Sequence, residues 1–242
     1  MRQELNALGQ PVGAAVAGWK PPARPSREAM QGALCRVEPL DPQRHGKSLY
    51  EANRLDTEGR NWTYLSYGPF ERFDGYQAWL AESAASSDPL FFAIVDQASG
   101  NAVGVASYTR IDPRSGSIEV GHLNFSPLLQ GRPAATEAMY LMMEQAFGLG
   151  YRRYEWKANA LNAPSRRAAE RLGFSFEGIF RQAAVHKGRN RDTAWYAVID
   201  RDWPALRGAF RRWLAPANFD AHGRQKIALS ALTAALSKER EP

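Results

Sequence analysis

The chain has 242 residues, with 31 Lys and Arg against 25 Asp and Glu, a formal charge of +6, and 44% apolar residues. That length suits one domain with decorations better than two full domains, and the ordinary apolar and charged content predicts a globular fold. Cys35 is the only cysteine, which excludes an intrachain disulfide and any multi-cysteine zinc or iron–sulfur cluster, so no metal site is expected. The N-terminus develops no long apolar run. Neither a secretory signal nor a membrane span is therefore predicted, and a cytoplasmic protein is the default expectation. The positive charge suits nucleic acid, an acidic lipid surface or a polyanionic cofactor without selecting among them.

Residues 1–33 contain a Lys20-Pro21-Pro22 break among small residues, which predicts an extended or weakly ordered arm that either wraps over the core or contributes to a homodimer. Residues 34–40 alternate like a strand ending at proline. The stretch 41–58 reads as a helix started by Asp41-Pro42, with Leu49, Ala52 and Leu55 on one face. The run NWTYLSYGPF is dense in aromatics and is punctuated as a loop; its Trp62, Tyr64 and Tyr67 either pack as a lid or line an acceptor site. A second helix is predicted over 71–85. PLFFAIVD and AVGVASYTRID then form a hairpin, and SIEVGHLNF resumes the sheet after a turn at Asp112–Gly116.

Residues 118–149 are the stretch around which the rest is arranged. An apolar strand runs into a compact loop that opens directly into a helix carrying Ala135, Ala138, Met142, Ala146 and Leu149 at spacings of three and four. Free backbone N–H groups at such a helix start suit a phosphorylated ligand. YRRYEWKANA reads as a strand. ALNAPSRRAAERLGF reads as a short helix capped by Asn162, with Pro164 in its first turn and Gly173 as its stop. FEGIFRQAAVH and DTAWYAVID form a last hairpin around Lys187–Arg191. Strands therefore flank both helices, which places the chain in the mixed α/β (α+β) class. Beyond Trp203-Pro204 come a basic helix, ALRGAFRRWL, and a weak amphipathic helix suited to packing or pairing rather than to a membrane. The division expected is an arm at 1–33, a single domain at 34–203 and a helical extension at 204–242.

Three segments in this order carry a family resemblance: Gln130-Gly131-Arg132-Pro133-Ala134-Ala135 followed by Thr136-Glu137-Ala138; Asn159–Ser165 running into Arg166–Phe174 with its Leu-Gly-Phe ending; and Gly188–Tyr196 continuing to Asp202-Trp203-Pro204. With them, residues from about 90 to 203 resemble the GCN5-related N-acetyltransferase (GNAT) superfamily, particularly its branch of ribosomal-protein alanine N-acetyltransferase-like enzymes. The resemblance implies an acyl-CoA N-acyltransferase fold: a mixed, mostly antiparallel twisted sheet flanked by helices, with a splayed pair of central strands. It also implies acetyl-CoA as co-substrate, its pyrophosphate held by the loop at Gln130–Ala135 and its pantetheine by Asn162 and Ser165. Pro133 stands where the family usually has glycine. Proline donates no N–H, so one phosphate contact is missing unless that position points elsewhere.

Acetylating an amine requires a neutral amine, a thioester placed against it, stabilisation of developing negative charge and a proton for the departing thiol. Glu119, in the middle of an apolar strand, is the leading base candidate. His122 is its rival, but their odd spacing puts them on opposite faces unless the strand is bulged. The resemblance points to N–H groups around Val120 and Gly121 as oxyanion donors. It also points to Ser165 as the proton donor to sulfur, with Tyr196 and Tyr154 as phenolic alternatives. Arg132, Arg166 and Arg167 are candidates for the cofactor phosphates, joined by Gln130, Gly131, Ala134, Ala135, Thr136 and Asn159 around the cofactor. Cys35 has no base beside it in sequence and is expected to be buried and inert. The leading reading is direct acetyl transfer from acetyl-CoA to a primary amine, either a protein N-terminus or a small molecule. A noncatalytic acyl-CoA-binding member of the same fold is the alternative. The arginines of the basic helix are dispersed and belong to no nucleic-acid motif, so contact with RNA is expected only through a ribosomal substrate.

Overall fold

The structure is a computed structural model and describes residues 3–238. Its strands in chain order are β1 (Gln3–Leu5), β2 (Pro11–Gly13), β3 (Met30–Gln31), β4 (Cys35–Pro39), β5 (Leu90–Asp96), β6 (Ala102–Asp112), β7 (Ser117–Phe125), β8 (Arg153–Asn159), β9 (Ser175–His186) and β10 (Arg189–Ile199). The helices are α1 (Pro42–Arg54), α2 (Phe73–Ala85), α3 (Pro133–Gly148), α4 (Ala163–Arg171), α5 (Trp203–Leu214) and α6 (Leu229–Lys238). β1 and β2 form a small exposed hairpin, and the other eight strands make one sheet in the order β3-β4-β5-β6-β7-β8-β10-β9.

Alternation along the strands gives the sheet two apolar faces. On one face Phe92, Ile94, Tyr108, Ile118, Tyr154 and Trp156 pack with α3, α5 and α6. On the other, Phe91, Ala93, Val95 and Val105 pack with Leu49 of α1 and Leu80 of α2. The result is a three-layer α/β structure of the kind the resemblance implied.

Local signals set the helix starts. Asp41 accepts hydrogen bonds from the N–H groups of Gln43 and Arg44 at 2.8 and 3.1 Å, and Asn162 accepts one from Ser165 at 3.2 Å. Pro42, Pro133 and Pro164 occupy first-turn positions, where an N–H has no helical partner in any case. Gly173 adopts φ +87, and a side chain there would strike Leu206 of α5, so the helix stop is also a packing site.

Two expectations change, and one of two alternatives is decided. The helix predicted over 41–58 ends at Arg54, and a single 3-10 turn at Arg60–Trp62 follows it. The last hairpin turns on Lys187-Gly188 alone: both have positive φ, 50 and 71, which is the geometry that joins twisted strands in two residues and releases Arg189–Arg191 into β10. The arm wraps over the core in its second half. Pro22 and Pro25 are buried, Trp19 meets Arg152, Arg24 donates to the Ile111 carbonyl at 3.2 Å, and β3 pairs with β4. The chain ends, 1–2 and 239–242, lie outside the described residues.

Every pairing within the large sheet is antiparallel except β7 with β8, which is parallel and runs only from Ser117↔Arg153 to Val120↔Trp156. Both strands continue past that point unpaired with one another, so they splay, and the gap between them is the candidate functional site.

Candidate active site

β7 carries a bulge inside the splay. Its ladder with β6 slips between Val105 and Ser107, so His122 and Leu123 together oppose Ala106. His122 takes φ +52 to make the kink. In a regular strand Glu119 and His122 would point to opposite faces; the extra residue lets both line one cavity.

That cavity, of about 280 Å3, is lined by Glu119, His122, Arg110, Lys157, Arg191 and Tyr64 among others. A second, of about 690 Å3, lies towards α3 and α4 and is lined by Asn124, Gln130, Gly131, Met139, Ala168 and Arg171 among others. The two share Asn61, Tyr64, Leu123, Trp156, Asn162 and Ser165, so they meet through the gap in the sheet. A hollow of about 750 Å3 beside α1, around Arg44 and His45, shares none of these six residues.

On the smaller side the charges are tightly organised. The Glu119 carboxylate, 4% exposed, takes Arg110 Nη1 at 2.8 and 2.9 Å and Lys157 Nζ at 2.8 Å. Lys157 also reaches Glu155 at 2.7 Å and lies 3.8 Å from the centre of the Trp195 ring, a cation–π contact. Glu155 in turn meets Arg153, and Arg153 meets Glu177. The ion pairs with Arg153 and Lys157 outweigh burial and hold the Glu155 carboxyl below the usual range. His122 stacks on Tyr67, with its Nδ1 3.4 Å from the Tyr67 hydroxyl, and packs on Phe91. Burial, with Arg110 and Arg191 nearby, lowers its pKa to about 4, so the imidazole is neutral at neutral pH.

The larger cavity is lined by two polar groups that the protein leaves incompletely paired. Asn124 is 2% exposed, and neither its amide oxygen nor its amide nitrogen has a partner within the protein. The Arg171 guanidinium donates to Thr136 Oγ1 at 3.1 Å and meets no carboxylate among the described residues; burial pushes its pKa down. Gly131 takes φ +70 just before α3. Ala135, Met139, Ala168 and Leu172 add an apolar wall. A long molecule with amide groups and an anionic end fits this donor set, as acetyl-CoA would. Ser165 Oγ accepts the Trp156 Nε1–H at 3.1 Å, leaving its own proton free to donate where the two cavities join.

Several residues singled out from sequence line the cavities: Glu119, Val120, Gly121, His122, Asn159, Asn162 and Ser165 on the smaller side, and Gln130, Gly131 and Ala135 on the larger. Gln130 Nε2 braces the loop by donating to Asn61 Oδ1 and the Phe125 carbonyl at 2.8 and 2.7 Å. Thr136 is buried behind Arg171. Arg132, Pro133 and Ala134 face a separate depression with Ala33 and Leu34, so Pro133 does point elsewhere. Arg166 and Tyr196 line neither cavity: Arg166 donates to the Tyr196 hydroxyl at 3.0 Å, and that hydroxyl donates to Glu170 at 3.1 Å, tying β10 to α4. Tyr154 is sealed in the core. Of the three aromatics, Tyr64 lines both cavities, Tyr67 backs His122, and Trp62 is buried between α2 and the loop. Cys35 is fully buried, and desolvation raises its thiol pKa far above the usual value.

Sequence reading missed Arg110, Asn124, Lys157, Arg171 and Arg191. One signal was present in YRRYEWKANA, where charges at 153, 155 and 157 alternate with apolar residues and so share the face that carries Glu119. Nothing local marks the others.

The domain model described as "Acetyltransferase (GNAT) domain" matches residues 39–175. A crystal structure of a GCN5-related N-acetyltransferase from Brucella melitensis is 48% identical, covers 90% of this chain and 100% of its own, and superposes with a TM-score of 0.89. A probable GNAT-family acetyltransferase from Chromobacterium violaceum is 41% identical, with 81% and 98% covered and a TM-score of 0.75. An uncharacterized N-acetyltransferase, p20, of Bacillus licheniformis is 26% identical over 113 residues, 46% of this chain; the match spans 63% of that relative's length.

Proposed function

The chain belongs to the GNAT acetyltransferase family, and on that premise we propose that it transfers the acetyl group of acetyl-CoA directly to a primary amine. The observation that carries this reading is the meeting of the two cavities at Trp156 and Ser165, with unpartnered polar groups on one side and Glu119 on the other. In this reading the acetyl thioester supplies the electrophile, and every other step belongs to the protein.

Arg171 and the loop at Gly131, just before α3, hold the anionic end, and Asn124 lies along the path of the bound arm. Val120 and Gly121, at the point where β7 leaves β8, present backbone N–H groups towards the acyl position. Ser165, polarised by the Trp156 N–H, donates its proton to the leaving sulfur. On the acceptor side Arg110, Lys157 and Arg191 create a positive potential. That potential lowers the pKa of an entering amine and favours its neutral, nucleophilic form. The base therefore has little to do before attack, and the remaining lone pair of Glu119 receives the amine proton afterwards. This matters because two cations already engage that carboxylate. The same engagement favours a second reading, a noncatalytic acyl-CoA-binding member, in which Glu119 only holds Lys157 in place. Placement among the ribosomal-protein alanine acetyltransferase-like enzymes is part of the proposal and rests on the loop at Gln130–Ala138 and the Leu172-Gly173-Phe174 ending.

Calorimetric titration with acetyl-CoA, followed by a thiol-release assay on a panel of amines, tests the reading. Binding with turnover is expected. Binding without turnover on any amine would select the second reading, and no binding at millimolar acetyl-CoA would dismiss both.

A further inference from the structure

The charges around the smaller cavity do not cancel. Arg110, Lys157 and Arg153 are matched by Glu119, Glu155 and Glu177 through contacts of 2.5–2.8 Å. Arg191 is left over. It stands on β10 where the ladder with β9 slips between Arg191 and Thr193, and it lines the cavity. No carboxylate lies within ion-pair distance of it among the described residues. Its Nη1 is 3.1 Å from His186 Nδ1, and its Nε is buried with no acceptor. His186, like His122, is held towards its neutral form by burial and by Arg191 itself, so neither ring compensates or adds to the charge at neutral pH. Among the described residues Glu119 is the only carboxylate lining the cavity, and two cations already share it.

A half-buried guanidinium with one enclosed N–H and no counter-ion is costly unless the ligand supplies one. The planar fork of arginine matches a carboxylate with two parallel hydrogen bonds. A polyamine or an aminoglycoside would instead add positive charge to a pocket that already has an excess. The volume of about 280 Å3 is at the small end for ligand sites and suits an amino acid better than a folded chain terminus.

Resting on the acetyltransferase reading, we infer that the acceptor is a small amino acid whose carboxylate pairs with Arg191 while its amine faces Glu119 and the thioester. The amine nitrogen bonds to the acetyl carbon as the carbon–sulfur bond breaks. One proton leaves the amine and one reaches the sulfur, so the products are an N-acetylamino acid and free CoA thiol. A carboxylate on Arg191 also moderates the positive potential that keeps the amine neutral, without removing it.

The test uses the full chain with acetyl-CoA and the common amino acids, each beside its carboxamide, together with spermidine and an alanyl peptide. The best amino acid is expected to exceed its carboxamide by about 100-fold in kcat/KM, mostly through KM. Arg191→Gln should reduce that ratio to about twofold, and Arg191→Lys should retain part of it. Equal turnover of carboxamides, preferred turnover of spermidine or of the peptide, or an unchanged ratio in Arg191→Gln would overturn the inference. Independently of turnover, N-acetylglycine titrated into protein with nitrogen-15-labelled arginine should shift the Arg191 Nε–H resonance, while N-acetylglycinamide should not. If no amine is acetylated the acetyltransferase reading fails, and this titration alone decides the ligand class: a carboxylate-dependent shift supports it, and no shift overturns it.

Discussion

The two cavities that meet between β7 and β8 are built on opposite plans. The larger takes most of its lining from two contiguous stretches, 123–139 and 162–172, and combines an apolar wall with a few polar groups that lack partners. The smaller draws Arg110, Glu119, Lys157 and Arg191 from four different strands and binds three of them to one another before any ligand arrives. In the proposed reading one side receives a molecule and the other imposes a charge on it. A site for an unchanging co-substrate can be a short motif with open valences. A site that sets the protonation state of an amine needs fixed charges, which must be held by other charges.

The largest test of this contrast is Glu119→Gln. Losing the carboxylate removes both the proton acceptor and the anchor of Lys157, so kcat/KM should fall by about 100- to 1,000-fold. Urea denaturation should show a loss of about 3 kcal/mol, mainly from Lys157, because Arg110 is largely exposed. Acetyl-CoA affinity should barely change. An equal loss of cofactor binding would mean that the two sides are not separate.

His122 sharpens the same side through pH. Its folded pKa of about 4 lies below the unfolded value near 6.5, so the unfolded chain takes up a proton first as pH falls. The stabilisation from keeping the ring neutral is complete above about pH 6.5 and is lost as pH drops from there to about 4. His122→Asn keeps a residue that tolerates positive φ and abolishes this contribution. The stability drop between pH 7 and pH 5 should then shrink by about 2 kcal/mol relative to wild type. An identical drop would show that the imidazole titrates normally.

The cofactor side should respond more mildly. Arg171→Met, which keeps the bulk and removes the charge, should weaken acetyl-CoA about tenfold by calorimetry and leave kcat nearly intact. The smallest effect has two signs. Asn124→Leu replaces an unsatisfied amide by a similar apolar shape, so the ligand-free protein should gain about 1 kcal/mol while the stabilisation conferred by acetyl-CoA shrinks. A loss of stability in the ligand-free protein would mean that Asn124 is already satisfied.

These outcomes also mark how far the residues speak for themselves. Asp41-Pro42, Asn162 with Pro164, and Gly173 announce helix boundaries because caps and stops act within one turn. The unbroken apolar run 90–95 announces a strand buried on both sides. Glu137 shows the limit: in sequence it belongs to the cofactor-loop segment, yet its carboxylate accepts the N–H groups of Ala33, Leu34 and Cys35 at 2.7–2.9 Å and fastens β4 to α3. Tyr196 and Arg166 follow the same rule, since a family pattern fixes their position in the chain while their side chains turn to each other and tie β10 to α4.

The sequence by itself determined the mixed α/β class, the strand–loop–helix at 118–149 and the two stretches that line most of the larger cavity, because hydrophobic period, capping and turn chemistry are local. Only the tertiary structure decided that β7 bulges at His122, that Pro133 faces away from the cavity, and that Arg110, Lys157 and Arg191 gather around Glu119. Those facts depend on which strands become neighbours, and strand neighbours are chosen by packing across the whole sheet rather than by any one stretch of it.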